Sequence, residues 1–126
     1  MTRVRLVLAI VTVSTAALVG TTTADASCIA QTAAQQRARA DVIFDGVALQ
    51  GPTATGIQRF KVLRYRKSRG PAIVRVQSGN RVFADGTGSV TSVSIVVRKG
   101  QRWRIFARGS AKKVLQTNVC DGSRRL

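Results

Sequence analysis

The chain has 126 residues, with 21 Lys and Arg against 5 Asp and no Glu or His, for a formal net charge of +16. Without His and Glu the commonest general bases are missing, which argues against an enzyme. The length holds one small domain, and its two cysteines are not in a C-x-x-C arrangement, so they are not a thioredoxin-like redox pair.

The first 26 residues read as an export signal. Arg3 and Arg5 form a positive start, Leu6 to Val19 is a mostly apolar run, and Ala24-Asp25-Ala26 is an A-x-A cleavage pattern. The apolar run is too short for a membrane span of ~20 residues and is diluted by Thr12, Ser14 and Thr15. Cleavage after Ala26 makes Ser27 the first residue of a single domain, 27–126, with no transmembrane segment. That domain has 14 Arg and 5 Lys against 4 Asp, a net charge of +15.

A helix is predicted over Ala30 to Arg39, rich in Ala, Gln and Arg. Val42 to Leu49 is a strand whose Gly46 implies a bulge or bend. Ile57 to Arg66 is a second strand. Phe60 and Val62 share one parity and Leu63 and Tyr65 the other, so a bulge is predicted near Leu63 and Arg64. Ala72 to Gln77 is a third strand, and Ser78 to Ser89 a Gly-rich loop. Thr91 to Arg98 alternates, with Val93, Ile95 and Val97 inward. Arg102 to Arg108 sends Trp103, Ile105 and Ala107 one way and Arg102, Arg104, Phe106 and Arg108 the other. Lys113 to Val119 is the last strand, running into Cys120. Short strands between turns indicate a small all-β barrel or sandwich. The expected core is Phe44, Phe60, Val62, Tyr65, Val74, Val76, Trp103, Ile105 and Leu115.

Cys28 and Cys120 stand near the two ends of the expected domain. In an exported chain they read as a structural bridge tying those ends together. Of the acids, Asp41 suits the helix–strand junction, Asp45 precedes a strand glycine, Asp85 sits in the Gly-rich loop and Asp121 in a turn. None is accompanied by a base or by metal-ligand spacing. The loop Ala84 to Ser89 lacks the pattern and setting of a phosphate-binding loop. No catalytic, metal or cofactor residue is assigned.

Four stretches, in order, resemble the netrin-like and tissue-inhibitor-of-metalloproteinases superfamily. They are Ala40-Asp-Val-Ile-Phe-Asp-Gly46; Phe60-Lys-Val62 with Tyr65 to Gly70; Gly100-Gln-Arg-Trp-Arg-Ile-Phe-Ala107; and Leu115-Gln-Thr117 with Cys120 and Gly122-Ser-Arg-Arg-Leu126. The resemblance spans Cys28 to Leu126. It implies a five-stranded OB-type Greek-key barrel with one short N-terminal helix. It also implies a secreted, monomeric, non-enzymatic binding module without cofactor, engaging an extracellular protein such as a protease. The inhibitors chelate their target's zinc through an N-terminal cysteine. Here Ser27 precedes Cys28, so that activity does not carry over.

The charge carries the alternative. Arg59, Lys61, Arg64, Arg66, Arg75, Arg102 and Arg104 fall on outward strand positions and form a candidate anion-binding set. This is either a solvated surface or a polyanion binder of the extracellular space or cell envelope. Teichoic or uronic polymers, anionic lipid and extracellular DNA are the candidate ligands. Aromatics interleaved with the cations are too sparse for sequence-specific nucleic-acid binding.

Overall fold

The computed structural model describes residues 28–89 and 94–126. The expected signal segment, Ser27 and Val93 lie outside the described residues. Among those described, no helix is long and apolar enough to cross a membrane.

Helix α1 spans Ala33–Arg39, starting later than the composition implies because Thr32 caps it. The Thr32 hydroxyl accepts from the Gln35 amide at 3.1 Å, and the Gln35 side chain accepts from the Thr32 amide at 2.9 Å. This capping box satisfies two donors that a helix start leaves free. At the other end Lys67 Nζ donates to the Arg37 carbonyl at 2.8 Å, answering one of the last turn's open acceptors. No residue of α1 itself is buried. The helix delivers Ala40, which packs with Ile43 and Phe106 in a small second cluster.

Six strands form one sheet: β1 (Val42–Ala48), β2 (Ile57–Lys67), β3 (Ile73–Gln77), β6 (Arg102–Ala107), β7 (Val114–Gln116) and β8 (Arg124–Arg125). Their order is β7-β3-β2-β1-β6-β8, with β1 central. The β3–β7 pair is parallel and the other pairs are antiparallel. Arg108 and Gln116 exchange backbone hydrogen bonds of 2.9 and 3.0 Å. That bridge brings the end of β6 against β7, so the sheet curls into a half-barrel. The chain is therefore mostly β. Short strands β4 (Arg81–Val82) and β5 (Gly88–Ser89) pair as a separate hairpin where a loop is expected. Its turn is closed by Asp85, whose carboxylate accepts from the Thr87 amide and hydroxyl. A short local turn of this kind leaves little hydrophobic pattern to read.

The bulge expected near Leu63 is present. Asp45 pairs with Arg64 and Gly46 with Val62, so Leu63 is the extra residue. A second shift lies between Ile43 and Phe44, where Arg66 is extra. Leu63 stands out into solvent, 47 % exposed. Gly46 is needed here because a Cβ on it would sit 2.8 Å from the Phe44 ring and 3.0 Å from the Lys61 carbonyl. A contact under 3 Å forces a shift in the core.

The inner face carries the core. Phe44, Phe60, Val74, Val76, Ile105 and Leu115 are buried, and Val62, Tyr65 and Trp103 pack on them partly covered. Phe44 meets Phe60 edge-on, centroids 6.0 Å apart. The polar tips of the two half-covered aromatics are satisfied: Tyr65 donates to the Pro71 carbonyl at 2.7 Å and Trp103 to Gln101 at 3.2 Å.

Two strand expectations are corrected. Residues 94–98 are not a strand, although Ile95 and Val97 are buried in the core as their alternation requires. What holds this segment is a side chain. Fully buried Gln58 donates to the Val97 carbonyl at 2.9 Å and to the Gln50 carbonyl at 3.2 Å, and accepts from the Ser78 hydroxyl at 3.1 Å. The last strand stops at Gln116 rather than Val119, because Asn118 caps a 3-10 turn, Val119–Asp121. Gly122 then takes the left-handed conformation, φ 97°, and β8 follows. Phe106 takes the outer side, as its parity requires, and is buried there against Ala40 and Ile43.

The Cys28–Cys120 disulfide is formed, Cα atoms 5.3 Å apart across 92 residues. It ties the segment before α1 to the 3-10 turn.

Candidate functional site: the basic outer face of the sheet

Pleating sends alternate residues of each strand to opposite faces. With Phe60, Val74, Trp103 and Ile105 turned inward, Arg59, Lys61, Arg75, Arg102 and Arg104 must point outward. Arg64 and Arg66 have the other parity. The Leu63 bulge restores them to the same face, where Arg64 stands opposite Asp45. All seven candidate cations are thus brought to one surface. Its cross-strand rows run Arg75–Arg59, then Ile73–Lys61–Val47–Arg102, then Arg64–Asp45–Arg104–Arg124.

The face has three parts. At one end Ala40 covers Ile43 and Phe106, and Arg124 lies over the Phe106 ring at 5.9 Å. In the middle stands Asp45. Its Oδ1 accepts from Arg104 Nε at 2.7 Å. Its Oδ2 accepts from an Arg104 terminal nitrogen at 3.1 Å and from Arg66 Nε at 2.8 Å. The Asp45 side chain is 10 % exposed, roofed by the two side chains it binds. The Arg104 fork, more than the Arg66 contact, draws its pKa down to about 2 against the opposing effect of burial. The same bond raises the Arg104 pKa.

Arg104 therefore corrects the expectation of a solvent-facing cation. It is half-buried and committed to Asp45, and Arg66 shares that carboxylate. The alternation rule gave their face correctly but was blind to the acid across the strand. The sign that was available is Asp45 itself, an acid in an otherwise buried strand stretch. A buried carboxylate demands a partner, and arginines were its available neighbours.

The third part is open. Arg59, Lys61 and Arg75 are exposed on β2 and β3, as are Arg64 farther along β2 and Arg102 on β6. Arg59 and Arg75 are direct cross-strand partners. Like charges so placed destabilise a sheet.

The remaining described acids are occupied elsewhere. Asp41 accepts from the Gly109 amide at 2.8 Å, Asp85 from Thr87, and Asp121 from the Asn118 amide at 3.1 Å. Hydrogen bonds from Thr87 also hold the Asp85 carboxyl below its usual range. Among the described residues, no group of three His, Cys, Asp or Glu side chains is placed to hold a metal ion. No protein-family model, curated protein or solved structure matches the chain.

Proposed function

We propose that this chain is a non-catalytic binding module, an OB-type barrel of the netrin-like kind, whose outer sheet face binds polyanions. The observation that carries the reading is the convergence of the seven candidate cations, with Arg124 beside them, on one face that holds a single described carboxylate, Asp45. Five of the seven, Arg59, Lys61, Arg64, Arg75 and Arg102, have no carboxylate partner among the described residues.

The barrel reading is supported by the order β7-β3-β2-β1-β6, the parallel β3–β7 pair and the bridge from Arg108 back to Gln116. A sheet of that order returns on itself and leaves few free edges, and OB-type barrels take ligands along their second and third strands. The netrin-like reading is supported by where its four stretches fall: β1, β2, β6, and the run from β7 to β8. In the last of these, Thr117 donates to the Phe106 carbonyl at 2.7 Å and Ser123 accepts from the Phe106 amide at 2.9 Å. The closing residues thus serve backbone groups of the Trp103 strand. A disulfide and an export signal suit a secreted or envelope location.

The non-catalytic reading rests on the residue inventory. Guanidinium groups suit bidentate contact with phosphate, sulfate or carboxylate. The test is retention of the protein on heparin, DNA and teichoic acid at low salt, followed by elution as salt rises. Retention on at least one, lost at moderate salt, is expected. No retention on any of them refutes the polyanion reading and leaves a module with a protein partner.

A further inference from the structure

The outer face is not uniformly available to an anion. Asp45 already neutralises its middle by taking the Arg104 fork and sharing Arg66. The free charge is concentrated on β2 and β3. There Arg59 and Arg75 are opposed directly, Lys61 is diagonal to Arg75, and Val114 of β7 lies alongside Arg75.

Directly opposed residues on antiparallel strands have Cβ atoms about 4.5–5.5 Å apart, and diagonal ones about 7–8 Å. Three cations are therefore held within reach of one small anion. Arg59 is steered by Gln50, whose side-chain oxygen accepts from its Nε at 3.4 Å. Gln50 is itself fixed, since it donates to the Ile57 carbonyl and its own carbonyl accepts from buried Gln58. The orientation of Arg59 is thus coupled to the core.

We propose that Arg59, Arg75 and Lys61 form a binding site for a tetrahedral oxyanion, phosphate or sulfate, carried on a polymer. The inference rests on the polyanion reading and locates its ligand group. Asp45 shows how this face treats a carboxylate: both oxygens go to one arginine fork, and a second arginine must share one of them. A sulfate ester or a terminal phosphate offers three acceptor oxygens, one more than a carboxylate, and the phosphate carries up to two charges. Either can give each of two guanidinium forks an oxygen of its own and still accept from an ammonium. Charge-assisted contacts of this kind are the strong ones. The opposed pair is a local repulsion in the free protein, and a bound anion relieves it.

The test uses nitrogen-detected NMR of the arginine side chains during titration with inorganic phosphate and, in parallel, inorganic sulfate. Affinity for polyphosphate and for dextran sulfate is measured on the same protein. The variants are R59Q/R75Q and, as a control for loss of two charges elsewhere, K112Q/K113Q on an exposed turn. The Arg59 and Arg75 signals are expected to move first. R59Q/R75Q is expected to lose at least tenfold in affinity for one polymer or both, and K112Q/K113Q less than twofold. The arm that responds more strongly identifies the oxyanion. Thermal melting checks that R59Q/R75Q is folded, and removing the repulsion should leave its midpoint unchanged or raised. Polymer binding that persists unchanged in R59Q/R75Q overturns this site while leaving the wider reading intact. Equal losses in both double variants overturn it too, since only total charge would matter. Failure of the unaltered protein to bind either polymer overturns the wider reading itself.

Discussion

Replacing Asp45 with Asn should destabilise the protein at neutral pH and, at the same time, strengthen its hold on polyanions. Asp45 titrates at 3.8 when unperturbed and at about 2 in the fold. The lowered value means that the ionised form is favoured by folding. Its contribution is complete well above pH 3.8 and is lost as pH falls through about 2. At about 1.4 kcal/mol per pH unit, the contribution is about 2 kcal/mol at pH 7, about 1 at pH 3 and less than half at pH 2. The Asp45 side chain is 10 % exposed, so solvent screens it little. Arg66, one-third exposed, supplies the more heavily screened share. Asn keeps one acceptor oxygen but loses the charge, and it turns an amide donor toward the other guanidinium. Urea unfolding of wild type and D45N at pH 7, 3 and 2 reads the difference directly. The other acids titrate in both proteins and cancel. The stability gap should shrink as pH falls from 7 to 2, while D45N, with Arg66 and Arg104 released, binds polyanions more tightly at pH 7. An unchanged gap across that range, or D45N as stable as wild type at pH 7, would refute the assigned role of Asp45.

Two further perturbations probe the frame that presents the face. Gln58→Leu leaves the Val97 and Gln50 carbonyls and the Ser78 hydroxyl without the partner they now share. The cost should be about 2–3 kcal/mol, read as a fall in thermal midpoint of roughly 10–20 °C, with hydrogen-exchange protection lost first in residues 94–98. Cys120→Ser opens a loop of 92 residues, which the chain-entropy treatment values at about 4–5 kcal/mol. Chemical unfolding should show most of that loss, and a stability unchanged within 1 kcal/mol would mean that the bridge merely pins the segment before α1.

Much of the fold was legible because the core strands alternate cleanly. Phe60 and Val74 inside, with Arg59 and Arg75 outside, follow from the pleat alone. The Leu63 bulge was legible because the apolar parity changes with no glycine to excuse it. What escaped were features fixed by single polar side chains. Gln58 sits in a strand pattern as an ordinary inward glutamine, yet it lets residues 94–98 line the core without sheet pairing. Asn118 and its cap end the last strand early, and no hydrophobic period signals that. The site was half legible. Which cations share a face is a matter of parity, but which of them are free depends on a carboxylate far away in sequence. Asp45 and Arg104 are 59 residues apart and become neighbours only when β1 pairs with β6.

The central claim is that the outer face binds polyanions through the cations Asp45 leaves free, and the salt dependence of binding tests it most directly. Fluorescence anisotropy with a labelled single-stranded polynucleotide, over 50–200 mM KCl, supplies the slope of log affinity against log salt. Five free cations at about 0.7 per phosphate contact predict a slope near −3.5, roughly a hundredfold loss across that range. D45N, with all seven available, should steepen the slope toward about −5. Binding that ignores salt, or no binding at 50 mM to the polynucleotide, polyphosphate or dextran sulfate, would contradict the account.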